Sequence, residues 1–207
     1  DVIYKYINSE GEAISGDSST ETTDNLGNFS LPLSESGLLS IRVSGYHYNE
    51  LNGGVSDGIL ALSAIYNATE DESQLAQVNV LTHLISKRVL EIISTSDTPA
   101  KFAIIQAELE LLNALDELIT KEGVSDFGQL SVYNVSNGRE EGNAYLLVVS
   151  VALYQHALNS MVEGSSLTGQ LTKILNDLSV DFIDGNLDGS SEILDGLSLA
   201  VQQLNHE

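Results

Sequence analysis

The spacing of apolar residues changes once along the chain, near residue 80. Before that point the apolar residues come in short β-branched or alternating runs, the period of a strand. Val2-Ile3-Tyr4-Lys5-Tyr6-Ile7 reads as a first strand and Leu38 to Val43 as another. Ser9-Glu10-Gly11-Glu12 and Asp24-Asn25-Leu26-Gly27-Asn28 read as turns, the second feeding the alternating run Phe29-Ser30-Leu31-Pro32-Leu33. Gly45 to Gly58 is rich in glycine and holds two tyrosines, so it reads as a loop or ribbon; Ile59 to Tyr66 is apolar enough to pair into the sheet. Several short strands with turns between them predict a small β-sandwich over residues 1–79.

From residue 80 the period becomes helical. Val80, Leu81, Leu84, Ile85, Val89 and Ile92 fall on one face of a first helix. Asp97-Thr98-Pro99 fits the start of a second, whose apolar face is expected to be Phe102, Ile105, Leu109, Leu112, Leu115 and Ile119. Residues 124–138 are a polar connection carrying Phe127, Leu130, Val132, Tyr133 and Val135, and part of it must pack down, because long structureless connections are rare in compact domains. Gly142 to Leu158 is apolar on nearly every face and reads as a central helix; Leu167 to Phe182 is amphipathic, and a last helix runs from about Glu192 to Leu204. The expectation is an α+β chain: a sandwich over 1–79, then an all-α domain of about five helices over 80–207.

Composition narrows the chemistry. Thirty acidic residues against eight basic ones give a net charge of −22, which argues against nucleic-acid backbones and anionic membrane surfaces and favours cation attraction. Cysteine is absent, so disulfides, thiol nucleophiles and thiolate metal sites are excluded. No apolar run is long enough to span a bilayer. The chain begins at Asp1 with neither Met nor a signal peptide, and is taken as a fragment or processed form.

The sharpest candidate is Asp184-Gly-Asn186-Leu-Asp188-Gly189-Ser-Ser-Glu192-Ile-Leu-Asp195, which puts oxygen side chains at relative positions 1, 3, 5, 9 and 12 and Gly at 6. That is close to an EF-hand calcium loop, and Asp184, Asn186, Asp188, Glu192 and Asp195 are the candidate Ca2+ ligands. Two departures count against it: Asp195 replaces the bidentate Glu, and Ser191 stands where an apolar residue is usual. The same residues suit a plain turn, with Gly taking positive φ and Asp188 or Ser190 capping the next helix. A second candidate is the ribbon Tyr46, His47, Tyr48, Asn49 and Asn52, residue types common on binding surfaces for a glycan or peptide, and equally suited to pinning the loop down. His83 near the start of the first helix reads as a capping and packing residue rather than a base beside Thr82, no two histidines have zinc spacing, and no G-x-S-x-G elbow is present. Lys5 is either an isopeptide partner for Asn79 or an ordinary edge lysine.

Thr22-Thr23-Asp24-Asn25-Leu26-Gly27-Asn28-Phe29-Ser30-Leu31 resembles the hairpin of the carboxypeptidase regulatory-like, or transthyretin-like, sandwich of bacterial surface proteins. Val78-Asn79-Val80-Leu81-Thr82-His83-Leu84 resembles the V-N-x-L-T-x-L segment that follows such sandwiches in secreted proteins and lipoproteins. Glu141-Gly142-Asn143-Ala144-Tyr145-Leu146-Leu147 and the Asp184 loop resemble later landmarks of the same helical region, in the same order. In those relatives the glycines of the loop persist more often than the residue at Asn186, which the resemblance ties to a turn. It implies a non-catalytic, adhesin-like module of a bacterial cell-surface or secreted protein, with no membrane span in this segment. Its implied partners are neighbouring domains of the same parent protein, and a glycan or surface protein if the ribbon binds.

Overall fold

A computed structural model describes residues 1–22, 28–33, 35–49, 53–69, 76–116, 122–132 and 138–204. The predicted change of period is where strand gives way to helix. β1 (Val2–Ile7), β2 (Ser18–Thr20), β3 (Gly37–Gly45) and β6 (Leu60–Ala68) form one antiparallel sheet in the order β2-β1-β3-β6. β4 (Tyr48–Asn49) and β5 (Gly54–Val55) form a separate two-stranded ribbon. Among the described residues five α-helices follow: α1 (Val80–Ser96), α2 (Ala100–Ala114), α3 (Glu140–Asn159), α4 (Leu167–Asp181) and α5 (Ser191–Leu204). The class is α+β.

Strand alternation sets the faces of the sheet. Tyr4 lies opposite Ile41, and Ile41 opposite Ala64, so these side chains share one face and are all buried. On the other face Ile3 and its partner Arg42 are exposed. The expected partner layer for the sheet is not a second sheet among the described residues. Phe29, Leu31 and Leu33, with Ala76 and Val78, cover the Val2-Tyr4-Tyr6-Leu39-Ile41 cluster as irregular chain. Pro32 has no N–H to give a ladder, and the ribbon is two residues deep, so neither segment supplies a second sheet. The strand-to-helix boundary is not a break in the core, because Leu38, Leu60, Leu62 and Ile65 pack against the helical cluster.

α1 buries the face expected of it: Leu81, Leu84, Ile85, Val89 and Ile92. Asp97 closes that helix in the left-handed region, φ 53°, instead of opening the next; Pro99 precedes α2 and gives no side-chain cap. The buried face of α2 also differs from the expectation. Leu112 and Leu115 are buried and Ile119 lies outside the described residues, but Phe102, Ile105 and Leu109 are exposed. The seam against α1 and β6 is lined instead by Ala103, Ala107 and Leu111, all at 0% exposure. Small residues let the helix axis approach closely, which turns the larger side chains outward. α3 is not buried all round: Tyr145, Leu146, Val149 and Leu153 face the core, while Leu147 and Leu158 are exposed. No helix among the described residues is long and apolar enough to cross a membrane.

α3 and α5 pack together, and Gly196 of α5 lies against the side chain of His156 on α3. A Cβ there would overlap the imidazole of His156 on α3. Gly196→Ala is therefore expected to destabilise the fold by about 1–3 kcal/mol, the usual range for overpacking. Urea denaturation of Gly196→Ala, His156→Ala and the double variant checks this: the two changes must be strongly non-additive, and additive losses would show that the ring is not the obstacle.

Candidate functional site

Three places hold the residues that sequence reading singled out: the start of α1, the ribbon and the Asp184 loop. At the first, Asn79 caps α1. Its carboxamide oxygen accepts from the Thr82 N–H at 3.0 Å, and its own N–H donates to Thr82 Oγ1 at 2.9 Å, a reciprocal capping box. The carboxamide nitrogen donates to the carbonyls of Phe127 (2.9 Å) and Leu130 (3.3 Å). Both ends of the Asn79 side chain are thus engaged, while Lys5 pairs with Asp17 at 3.5 Å, and nothing in the arrangement supports a crosslink between Lys5 and Asn79.

His83 sits one turn further on, 8% exposed, and its Nδ1 accepts from the Ser63 N–H at 3.2 Å. β6 is an edge strand, so this bond satisfies a donor that has no partner strand, and α1 covers the edge. Burial pushes His83 down to about 4, with Lys87 and Arg42 adding in the same direction. It is neutral at pH 7, with its proton on Nε2. The packing role expected of it is the one it has, but the cap is supplied by Asn79 and not by His83.

The connection after α2 is folded onto the same place. Phe127–Gln129 forms one 3-10 turn, with Phe127 and Leu130 fully buried. Glu108 of α2 accepts from the N–H groups of Asp126 (3.1 Å) and Phe127 (2.7 Å). Asn143 Oδ1 of α3 accepts from the Ser131 N–H at 2.9 Å. Gly142 is glycine because a Cβ would stand 2.6 Å from Leu130 Cδ2, and Gly128 because a Cβ would stand 2.7 Å from the ring of Tyr66. Glu108, Asp126 and Tyr66 line a cleft of about 150 Å³. Burial pushes the Glu108 carboxyl up to about 7, against the pull of its two N–H bonds. The sequence reading missed Glu108; the available signal was a carboxylate set among Ile104, Ala107, Leu111 and Leu112 on the wheel.

The Asp184 loop is organised by a residue the sequence reading also missed. Arg88 of α1 clamps Glu110 of α2 through Nε at 2.6 Å and Nη2 at 3.0 Å, and donates through Nη1 to the Ile183 carbonyl at 3.1 Å. Gly185 turns beside this pair at φ +92°, where a Cβ would stand 2.8 Å from Glu110 Oε2. Asp184 Oδ1 accepts from the Asn186 N–H at 2.9 Å, an Asx turn. Leu187 is buried in the helical core, and the Ser190 carbonyl accepts the first N–H bonds of α5. The five proposed ligands, Asp184, Asn186, Asp188, Glu192 and Asp195, are all exposed. Among the described residues no three His, Asp or Glu side chains are gathered as a metal cage.

The ribbon places Tyr46 outward, 67% exposed, and turns His47 toward the helices. The backbone of Tyr48 and Asn49 forms β4, and Asn52 lies outside the described residues. Just past the ribbon, Asp57 caps α4 from 110 residues away: its carboxylate accepts from the N–H groups of Leu167 (2.9 Å) and Thr168 (3.0 Å) and from the Thr168 hydroxyl. The Thr168 hydrogen bonds hold its carboxyl below the usual range. A groove of about 290 Å³ opens here, between His47, Val55 and Asp57 on one side and Tyr154, Met161 and Leu171 on the other. No family model matches the chain, and no curated protein or solved structure matches it either.

Two predictions follow from these contacts. Exposed as they are, Asp184, Asn186, Asp188, Glu192 and Asp195 bind calcium only by regrouping around the ion, so the calcium reading expects a higher melting midpoint in millimolar calcium than in EGTA, and coinciding midpoints would leave the plain turn. The second concerns Glu108 and His83, which titrate in opposition. Glu108, raised from 4.5 to about 7, gives stability that is full below 4.5 and lost as pH rises through 7. His83, lowered from 6.5 to about 4, gives stability that is full above 6.5 and lost as pH falls through 4. Glu108→Gln removes the first branch alone. Relative to the parent it is expected to gain about 3 kcal/mol between pH 4.5 and pH 7. Parallel pH profiles for the two proteins in urea would contradict the assignment.

Proposed function

We propose that the chain is a non-catalytic interaction module of a bacterial secreted or cell-surface protein, presenting or spacing the neighbouring domains of its parent. The observation that carries this reading is where the motif residues go. Asn79, Thr82 and Asn143 belong to the two segments whose resemblance is to secreted helical regions, and each spends its side chain on a backbone group of the scaffold. Glu108, the buried acid, does the same. A motif whose polar atoms are consumed internally supports a framework role. Protease treatment of intact cells producing the parent protein tests the setting: cleavage inside this module without lysis is expected, and full protection until lysis would overturn it.

The groove beside the ribbon favours a second reading, capture of a glycan or peptide. Its mix of aromatic, aliphatic and a few polar side chains is that of a binding cleft. Glycan and peptide arrays test it. Any hit is expected to weaken about tenfold or more on Tyr154→Ala or His47→Ala, because aromatic anchors dominate such sites. Tyr46→Ala should weaken it as well if the outward tyrosine takes part. A hit that survives all three substitutions lies elsewhere.

A further inference from the structure

The exposed stripe on α2 is more apolar surface than the fold uses. Phe102, Ile105 and Leu109 are 61%, 41% and 56% exposed, at positions i, i+3 and i+7 of one helix, so they form a single row. The opposite face of the same helix already makes the core contacts through Ala103, Ala107 and Leu111. The row leaves on the order of 300 Å² of apolar side chain in water, the size of the largest apolar patch on an ordinary single chain, and such patches often serve as contacts. We infer that this row docks a cationic amphipathic segment of a partner protein, apolar on one face and flanked by Lys or Arg.

Charge selects that occupant. The chain carries −22, so a second copy would bring an equal negative charge to the contact. Exposed Asp97 precedes the helix and exposed Asp116 follows it, so acidic groups stand at both ends of the row. Glu110, on the flank of the helix, is held by Arg88, and Lys101 is the one cation on α2. A basic segment therefore gains long-range attraction where an acidic one is repelled, while the apolar row supplies the short-range contact. The small area makes this a weak contact, with Kd on the order of 10–100 µM. The proposal takes its setting from the interaction-module reading, but it uses a different element from the ribbon groove, so failure of that groove leaves it standing.

Titration by fluorescence anisotropy with two synthetic helical peptides tests it. Both carry the same Leu and Phe row; one is flanked by Lys and the other by Glu. The Lys-flanked peptide is expected to bind in that affinity range and to weaken as salt is raised, with the Glu-flanked peptide at least about tenfold weaker. Phe102→Ser with Leu109→Ser should weaken binding about tenfold or more, and so should Ile105→Lys, while Val180→Ser, at an exposed apolar site on α4, should leave it unchanged. Circular dichroism confirms that each variant is folded. No binding of the Lys-flanked peptide, equal binding of both peptides, or binding unaffected by the α2 substitutions overturns the proposal. So does a dimer in light scattering that Phe102→Ser with Leu109→Ser converts to monomer, since a second copy would then be the occupant.

Discussion

The fold depends on how the short segment around Phe127 is held. It is an irregular stretch set against the core, and such a stretch is tolerated only when its backbone groups find partners. Asn79 takes the carbonyls of Phe127 and Leu130, Glu108 takes the N–H groups of Asp126 and Phe127, and Asn143 takes the N–H of Ser131. Gln77 adds a backbone bond to the Gly128 carbonyl, and the Tyr66 hydroxyl fixes Gln77 in turn. The partners come from the end of the β region, from α2 and from α3. One segment therefore ties together three parts of the chain that are remote in sequence, and Phe127 and Leu130 fill the space where they meet.

The same economy appears at the sheet edge. β6 could have ended the sheet as an open strand, but α1 lies along it and His83 satisfies an edge donor. The residue that does this lies four positions after the helix cap, so capping and edge coverage are fixed by the same few residues. A neutral imidazole is the right group: it accepts at Nδ1, and burial keeps it neutral. Asp57, a residue following the ribbon, likewise joins remote parts of the chain by accepting from the first N–H groups of α4.

Element type was legible because it rests on local period. Val2–Ile7 and α4 were read to within a residue of their bounds, and the change from strand to helix near residue 80 falls at the start of α1. Facing was less legible. The row Phe102, Ile105 and Leu109 has the spacing of a core face, but Ala103 and Ala107 pack closer, and spacing alone does not rank two apolar faces on one helix. The Asp184 loop shows the other limit. A glycine at positive φ was readable from Asp-Gly chemistry, and Gly185 takes that role, but the Asx turn at Asp184 and the clamp by Arg88, 95 residues away from the Ile183 carbonyl it binds, were not. The sequence-distant partners of Asn79, Glu108 and Asn143 were hidden for the same reason: a side chain's hydrogen-bonding capacity is local information, and its partner is not.

That division bears on where the molecule's function resides. A polar group that meets backbone inside the fold has little left to offer a substrate, and this is the state of Asn79, Glu108 and Asn143. The buried acid with the displaced pKa would otherwise be the first suspect for acid–base chemistry. Here its two oxygens are the N–H acceptors of the Phe127 turn, so removing it for reaction would undo the latch. Among the described residues, exposed apolar and aromatic side chains lie on the surface instead: Tyr46 on the ribbon beside a groove, and the row Phe102, Ile105 and Leu109 on α2. Surfaces of that kind recognise other molecules by shape, apolar contact and charge, and that is the physical ground on which the proposed interaction role rests.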